Sequence, residues 1–240
     1  MLAAPDRQEY EPLLLTREQA EFVLRFYELD PRTGRRVIRR GVLSRPRGWG
    51  KSPFLSALCL VEALADVVPD GWDADGRPVG KPWSMVRTPL VQVAAVTEDQ
   101  VRTNTWGSML EMVDPELDPP VFDYYRGLEP MDTFVNLPKG RIQMVTASAS
   151  SVKGARAVFS VWDQTEEWTT SNGGKRLAAV MADNAAKVGG SYVETPNAFT
   201  PGLSSVAEES ATEWAAMKEG RTRGDKSLLY DHREAPPDTD

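Results

Sequence analysis

Apolar positions along the chain fall into short runs separated by polar, turn-forming stretches, and the period of each run predicts its element. Thr16 to Leu29 carries Phe22, Val23, Leu24 and Phe26 on one face, which predicts an opening helix. Val37 to Leu43 is a β-rich run that leads into a glycine-containing turn, and Pro53 to Ala65 is apolar on nearly every side, as expected of a helix inside the core. Pro53 stands in the first turn, where a helix tolerates proline. Leu90 to Val96 reads as a strand, and Thr97-Glu98-Asp99-Gln100 has the spacing of a capping box, predicting a helix from there to about Val113. Ile142 to Thr146 and Ala157 to Trp162 read as strands, Leu177 to Val188 as a helix, Ser191 to Thr195 as a strand and Ser205 to Lys218 as a helix. The segments Asp66 to Pro89 and Pro115 to Pro138, dense in turn formers, read as irregular excursions. Strands alternating with helices predict an α/β domain with a mainly parallel sheet.

Composition fits that picture. With 240 residues, 41% hydrophobic and 26% charged, the chain is sized for one buried core, so residues 1–233 are expected to form one domain, with Glu234 to Asp240 beginning a linker. No run approaches the roughly 18 apolar residues of a membrane span, and Met1 to Tyr10 lacks the basic start and apolar stretch of a signal peptide, so a soluble, intracellular protein is expected. The single cysteine, Cys59, excludes an internal disulfide, and the single histidine, His232, excludes a zinc cluster; a metal would be held by oxygen. The net charge of −7 argues against a surface that is all nucleic-acid platform. Pro31 to Lys51 nevertheless carries eight cations and no acid, which reads either as a solvated hairpin or as a stretch that touches phosphate.

Chemistry concentrates at Arg45-Pro46-Arg47-Gly48-Trp49-Gly50-Lys51-Ser52, between a strand and a buried helix. A phosphate-binding loop needs that context: backbone N–H groups converge on phosphate at the positive end of a helix, a lysine adds charge and a hydroxyl reaches Mg²⁺. Arg45 stands where the common pattern has its first glycine; the competing reading is a structural turn. Val158 to Asp163 supplies a hydrophobic strand ending in a carboxylate that would face the metal, although an aspartate after a strand also caps helices. The next residue, Gln164, is neutral and cannot take a proton, so either hydrolysis is slow or another acid serves; Glu166 and Glu167 are the substitutes, with Glu166 preferred, and an acidic helix head is the alternative for both.

These residues resemble a known family. Arg47-Gly48-Trp49-Gly50-Lys51-Ser52 is similar to the deviant Walker A of tailed-phage large terminases, in which an arginine precedes the glycine-rich turn. Thr16 to Gln19 resembles the adenine-reading segment, Ala95 to Gln100 the strand-to-helix segment, Asp163 to Trp168 the Walker B region, and Glu194-Thr195-Pro196-Asn197-Ala198 the coupling motif that senses the γ-phosphate. The resemblance spans roughly Thr16 to Ser205 and departs at Gln164. It implies an ASCE-type P-loop ATPase that binds ATP through Gln19, Arg47, Gly48, Trp49, Gly50, Lys51, Ser52, Thr195 and Asn197. Mg²⁺ would sit on Ser52 and Asp163, and Lys153 or Arg156 would be the arginine finger, Arg156 preferred because a planar fork suits phosphate. It also implies double-stranded DNA, a portal protein, a small terminase subunit and a homo-oligomeric ring as partners, at the procapsid portal in the host cytoplasm. The family's nuclease domain is expected to be absent, so no DNA cutting is expected. Two other readings compete: a helicase-like ATPase, and a module that binds ATP with little hydrolysis because of Gln164.

Overall fold

The structure, a computed structural model, describes residues 2–148, 152, 154–223 and 226–234. Of the expected linker at 234–240, residues 235–240 lie outside the described residues, as does Lys153. In chain order the elements are α1 (Arg17–Phe26), β1 (Arg40–Ser44), α2 (Lys51–Leu64), β2 (Val68–Trp72), β3 (Pro78–Lys81), β4 (Leu90–Ala95), α3 (Glu98–Val101), α4 (Gly107–Met112), α5 (Val121–Tyr124), β5 (Glu129–Pro130), β6 (Phe134–Asn136), β7 (Arg141–Thr146), β8 (Phe159–Asp163), α6 (Gly174–Val188), β9 (Ser191–Thr195), α7 (Val206–Lys218) and β10 (Leu228–His232).

Eight strands form one sheet in the order β10-β1-β9-β8-β4-β7-β6-β5. The pairings from β10 to β7 are parallel, and only the β5–β6 hairpin joins antiparallel at one edge. This is the α/β fold with a mainly parallel sheet that the alternating pattern predicted. Strand periodicity builds two cores: along β4 and β8, Val93 and Val161 face the cluster beneath α1 and α2, while Ala94 and Trp162 face the cluster beneath α6. Helices on both faces bury the apolar strands from either side.

Several boundaries differ from expectation for local reasons. α1 stops at Phe26, and the chain then turns through Asp30 to Gly34, closed by an isolated bridge between Leu29 and Arg36. The capping box at Thr97 forms, but the helix after it passes through a π-helical stretch, Arg102–Trp106, before continuing as α4. The Asp66 to Pro89 excursion contains the antiparallel ribbon β2–β3, and Pro115 to Pro138 contains α5 and the β5–β6 hairpin. The edge strand β10, which pairs with β1 from Arg40↔Leu228 to Ser44↔His232, has no counterpart among the sequence expectations.

Register places the site. β9 lies between β1 and β8, with Arg40↔Tyr192 on one side and Asp163↔Thr195 on the other. The carboxyl ends of β1, β8 and β9 therefore open on one edge, where ligands of open parallel sheets bind.

Candidate nucleotide site

The loop from Arg45 to Gly50 leaves β1 at that edge and enters α2 at Lys51. Gly48 and Gly50 both adopt left-handed backbone, φ 82° and 87°, which explains why glycine occupies these two positions. The Lys51 ammonium uses its three protons on the carbonyls of Arg45 (2.7 Å) and Pro46 (2.9 Å) and on Asn197 Oδ1 (2.7 Å). Burial lowers its pKa, with the Glu166 and Asp163 carboxylates acting in opposition.

Asn197 continues the chain of contacts. Its side-chain amide donates to Glu166 Oε1 at 2.5 Å and its backbone N–H to Glu166 Oε2 at 3.1 Å. The loop lysine and the favoured base are thus joined through one asparagine. Burial raises the Glu166 pKa despite these donors. Glu167, the next residue, is exposed, so of the two acids it is Glu166 that joins the cluster. The turn that separates them from β8 is set by Gln164, held in left-handed conformation at φ 57° with its N–H on the Thr195 carbonyl.

Asp163 is 3% exposed at the end of β8. It accepts from Thr105 Oγ1 at 2.9 Å and from Thr195 Oγ1 at 3.4 Å. Burial holds its carboxyl up at about 6, with the two hydroxyls opposing the rise and Glu166 adding to it. Two acids held close in a dry site favour a cation between them. Among the described residues no three histidines, cysteines or acids converge. The oxygen donors here, the Asp163 carboxylate and the hydroxyl of the half-buried Ser52 at the head of α2, are of the type that could hold Mg²⁺ together with phosphate oxygens.

The remaining expected residues separate into those at the loop and one elsewhere. Gln19 is buried; its Oε1 closes the α1 capping box on Thr16 N, and its Nε2 faces Gly50, lying 3.8 Å from where a Cβ on that glycine would stand. Arg47 is exposed at the loop, near enough to depress the Lys51 pKa. Trp49 commits its ring to Glu18 Oε2 (3.0 Å) and, edge-on, to Phe54, which leaves its backbone as the part open to phosphate. Arg156 is not brought to the site. It precedes β8, whose five residues span about 17 Å at roughly 3.3 Å each, so it lies at the opposite sheet edge from Asp163.

Sequence reasoning missed the roles of three residues around the site, although it noted Arg45 as a departure from the common pattern. Arg45, 2% exposed, is a buried brace: Nε reaches Glu18 Oε1 (2.8 Å), and Nη2 and Nη1 reach Asp231 Oδ1 (2.9 Å) and its carbonyl (2.8 Å). A glycine here would leave α1, the loop and β10 untied. Glu18 also accepts from Trp49 and pairs with Arg233 at 3.1 Å; despite some desolvation, these donors hold its carboxyl below the usual 4.5. Thr105 reaches Asp163 from the π-helical stretch, a departure from α geometry that often marks functional sites. Nothing in the local pattern around Glu18, Asp231 or Thr105 signals these long-range contacts.

No protein-family model matches the chain. Over 232 residues the chain is 37% identical to the Gene 13 protein of Mycobacterium phage L5 and 36% identical to that of phage D29, covering 93% of this chain in each case. The chain spans about 37% of the length of these curated relatives. Among solved structures, it superposes on the large terminase of bacteriophage HK97 with a TM-score of 0.67 at 15% identity, over 100% of this chain and 43% of that one. It also superposes on the large terminase ATPase domain of Thermus phage P74-26 with a TM-score of 0.54 at 13% identity, over 93% of this chain and 81% of that one. The fold is therefore that of phage large-terminase ATPase domains.

Proposed function

We infer that the chain belongs with the phage large terminases, as their ATPase motor domain, and that residues 1–233 hydrolyse ATP to drive double-stranded DNA into a procapsid. One observation carries the reading: Lys51, Asn197 and Glu166 are joined in series beside Asp163, whose strand is separated from the loop's strand by β9 alone. The shared fold and the phage relatives support it. A neighbouring ring of subunits, a portal and a small terminase subunit are the partners this role requires.

Each side chain then has a task. The Lys51 ammonium neutralises phosphate charge, and the left-handed turns at Gly48 and Gly50 aim backbone N–H groups at the phosphates. Ser52 and Asp163 would hold Mg²⁺, which supplies charge neutralisation across the phosphate oxygens. Glu166, oriented by both donors of Asn197, takes the proton of the attacking water. Thr195 fixes Asp163 while Asn197 reports whether phosphate occupies Lys51. Arg156, at the far edge, could act as a finger only on a neighbouring subunit's site.

The test is phosphate release with Mg-ATP. Lys51→Ala loses ATP binding, and unchanged affinity in that variant removes the loop assignment. Glu166→Ala binds ATP but turns over about 10²- to 10⁴-fold more slowly, the usual contribution of a positioned base. Glu167→Ala keeps turnover; should it be the dead variant, the base is assigned wrongly. Wild-type protein that binds ATP and releases no phosphate would favour the binding-module reading, which the neutral Gln164 supports.

A further inference from the structure

On the sheet edge opposite Lys51, the turn from Pro31 to Arg39 and the strand β2 flank a cleft of about 750 Å³. Arg32, Arg35 and Arg39 line it, and Trp72, 43% exposed, stands in the opposing wall. Two other charged groups of the lining are already matched: Asp70 pairs with Lys81 at 2.9 Å and Arg36 with the buried Glu62 at 2.7 Å. Arg32, Arg35 and Arg39 have no acidic partner among the described residues. Arg39 is pinned to the Gly189 carbonyl, and burial together with the like charges of Arg36 and Arg35 lowers its pKa. Crowding cations this way in a chain of net charge −7 is electrostatically costly, and a bound polyanion offsets it.

We propose that this cleft binds the sugar–phosphate backbone of a nucleic acid, with Arg32, Arg35 and Arg39 on phosphates and the Trp72 indole against sugar or base. Several guanidiniums beside an exposed aromatic are the combination that tracks a nucleic-acid strand. A triphosphate held by Lys51 does not reach the cleft, because the five residues of β1 hold the two edges about 17 Å apart. The basic edge continues past the cleft: Lys187 ends α6 there and Arg156 leads into β8. For a motor domain this cleft is where DNA would be gripped, an assignment that rests on the motor reading only for its purpose.

Binding is measured without nucleotide, so loss of ATPase activity and loss of this site are separable outcomes. A labelled duplex of about 24 base pairs, and a single strand of equal length, are titrated by anisotropy across a salt series with wild type and with Arg32→Ala/Arg35→Ala. With two phosphate contacts removed, the slope of log affinity against log salt becomes shallower by about 1.8, and affinity near 0.1 M salt falls roughly tenfold per contact. Basal phosphate release and the melting temperature stay at wild-type values, which separates the effect from misfolding. The arm with the larger loss names the form bound. Unchanged slope and affinity on both arms, or no binding of either strand form by wild type, overturns the proposal.

Discussion

At the residue scale the loop is held by two side chains that do not touch phosphate. Arg45 is itself closed to water and forks between Glu18 and Asp231, two partly exposed carboxylates that also contact Trp49, Arg233 and Arg25. Arg45→Ala is expected to cost about 1.5–3 kcal/mol in a denaturant titration, and Arg45→Lys to restore little, since a point charge cannot fork among several acceptors. Glu18 gives the site a signature in acid. Its carboxyl lies below the ordinary 4.5 in the folded protein, so its contacts stabilise fully above that value and are lost as pH falls through the lowered one. Melting curves from about pH 7 to about pH 3 should fall more steeply for wild type than for Glu18→Gln. Equal slopes would show that Glu18 is not a stabilising contact.

At the element scale, strands and helices with a clear period were legible, and the edges were not. Ser191–Thr195 is the strand its pattern predicted, and Ser205 and Thr97 cap the helices that their spacing assigned. β10 escaped because a five-residue, partly exposed edge strand has no periodicity that separates it from a loop. The site followed the same division. Lys51, Ser52, Asp163 and Asn197 stand in local motifs, whereas Arg45, Glu18 and Thr105 act through contacts made only after folding. Packing of α1 on β1 can be tested at Gly41, where an added Cβ would lie 3.1 Å from Phe26 Cε2 and 3.2 Å from Phe22 Cζ. Those rings stack on each other with centroids 5.9 Å apart, so Gly41→Ala should cost about 1–3 kcal/mol as a shift of midpoint with unchanged slope. No shift would mean that the rings yield freely.

At the scale of the whole molecule, the sheet keeps the two proposed sites apart. The candidate nucleotide site lies at the carboxyl edge, and Arg32, Arg35 and Arg39 at the amino edge, with β1 running between them. The far end of the chain also reaches back to the loop, because β10 carries Asp231 to Arg45. A chain truncated after Gly220 should therefore lose both melting temperature and ATP affinity, measured by thermal shift and nucleotide titration. Retained affinity would show that the loop needs no support from that strand. The Lys51 contacts add one more consequence. An ammonium with every proton already engaged cannot simply acquire a phosphate; it must exchange a partner for it. If the partner released is Asn197, nucleotide arrival frees the very amide that steers Glu166, and filling the pocket becomes the event that arms it.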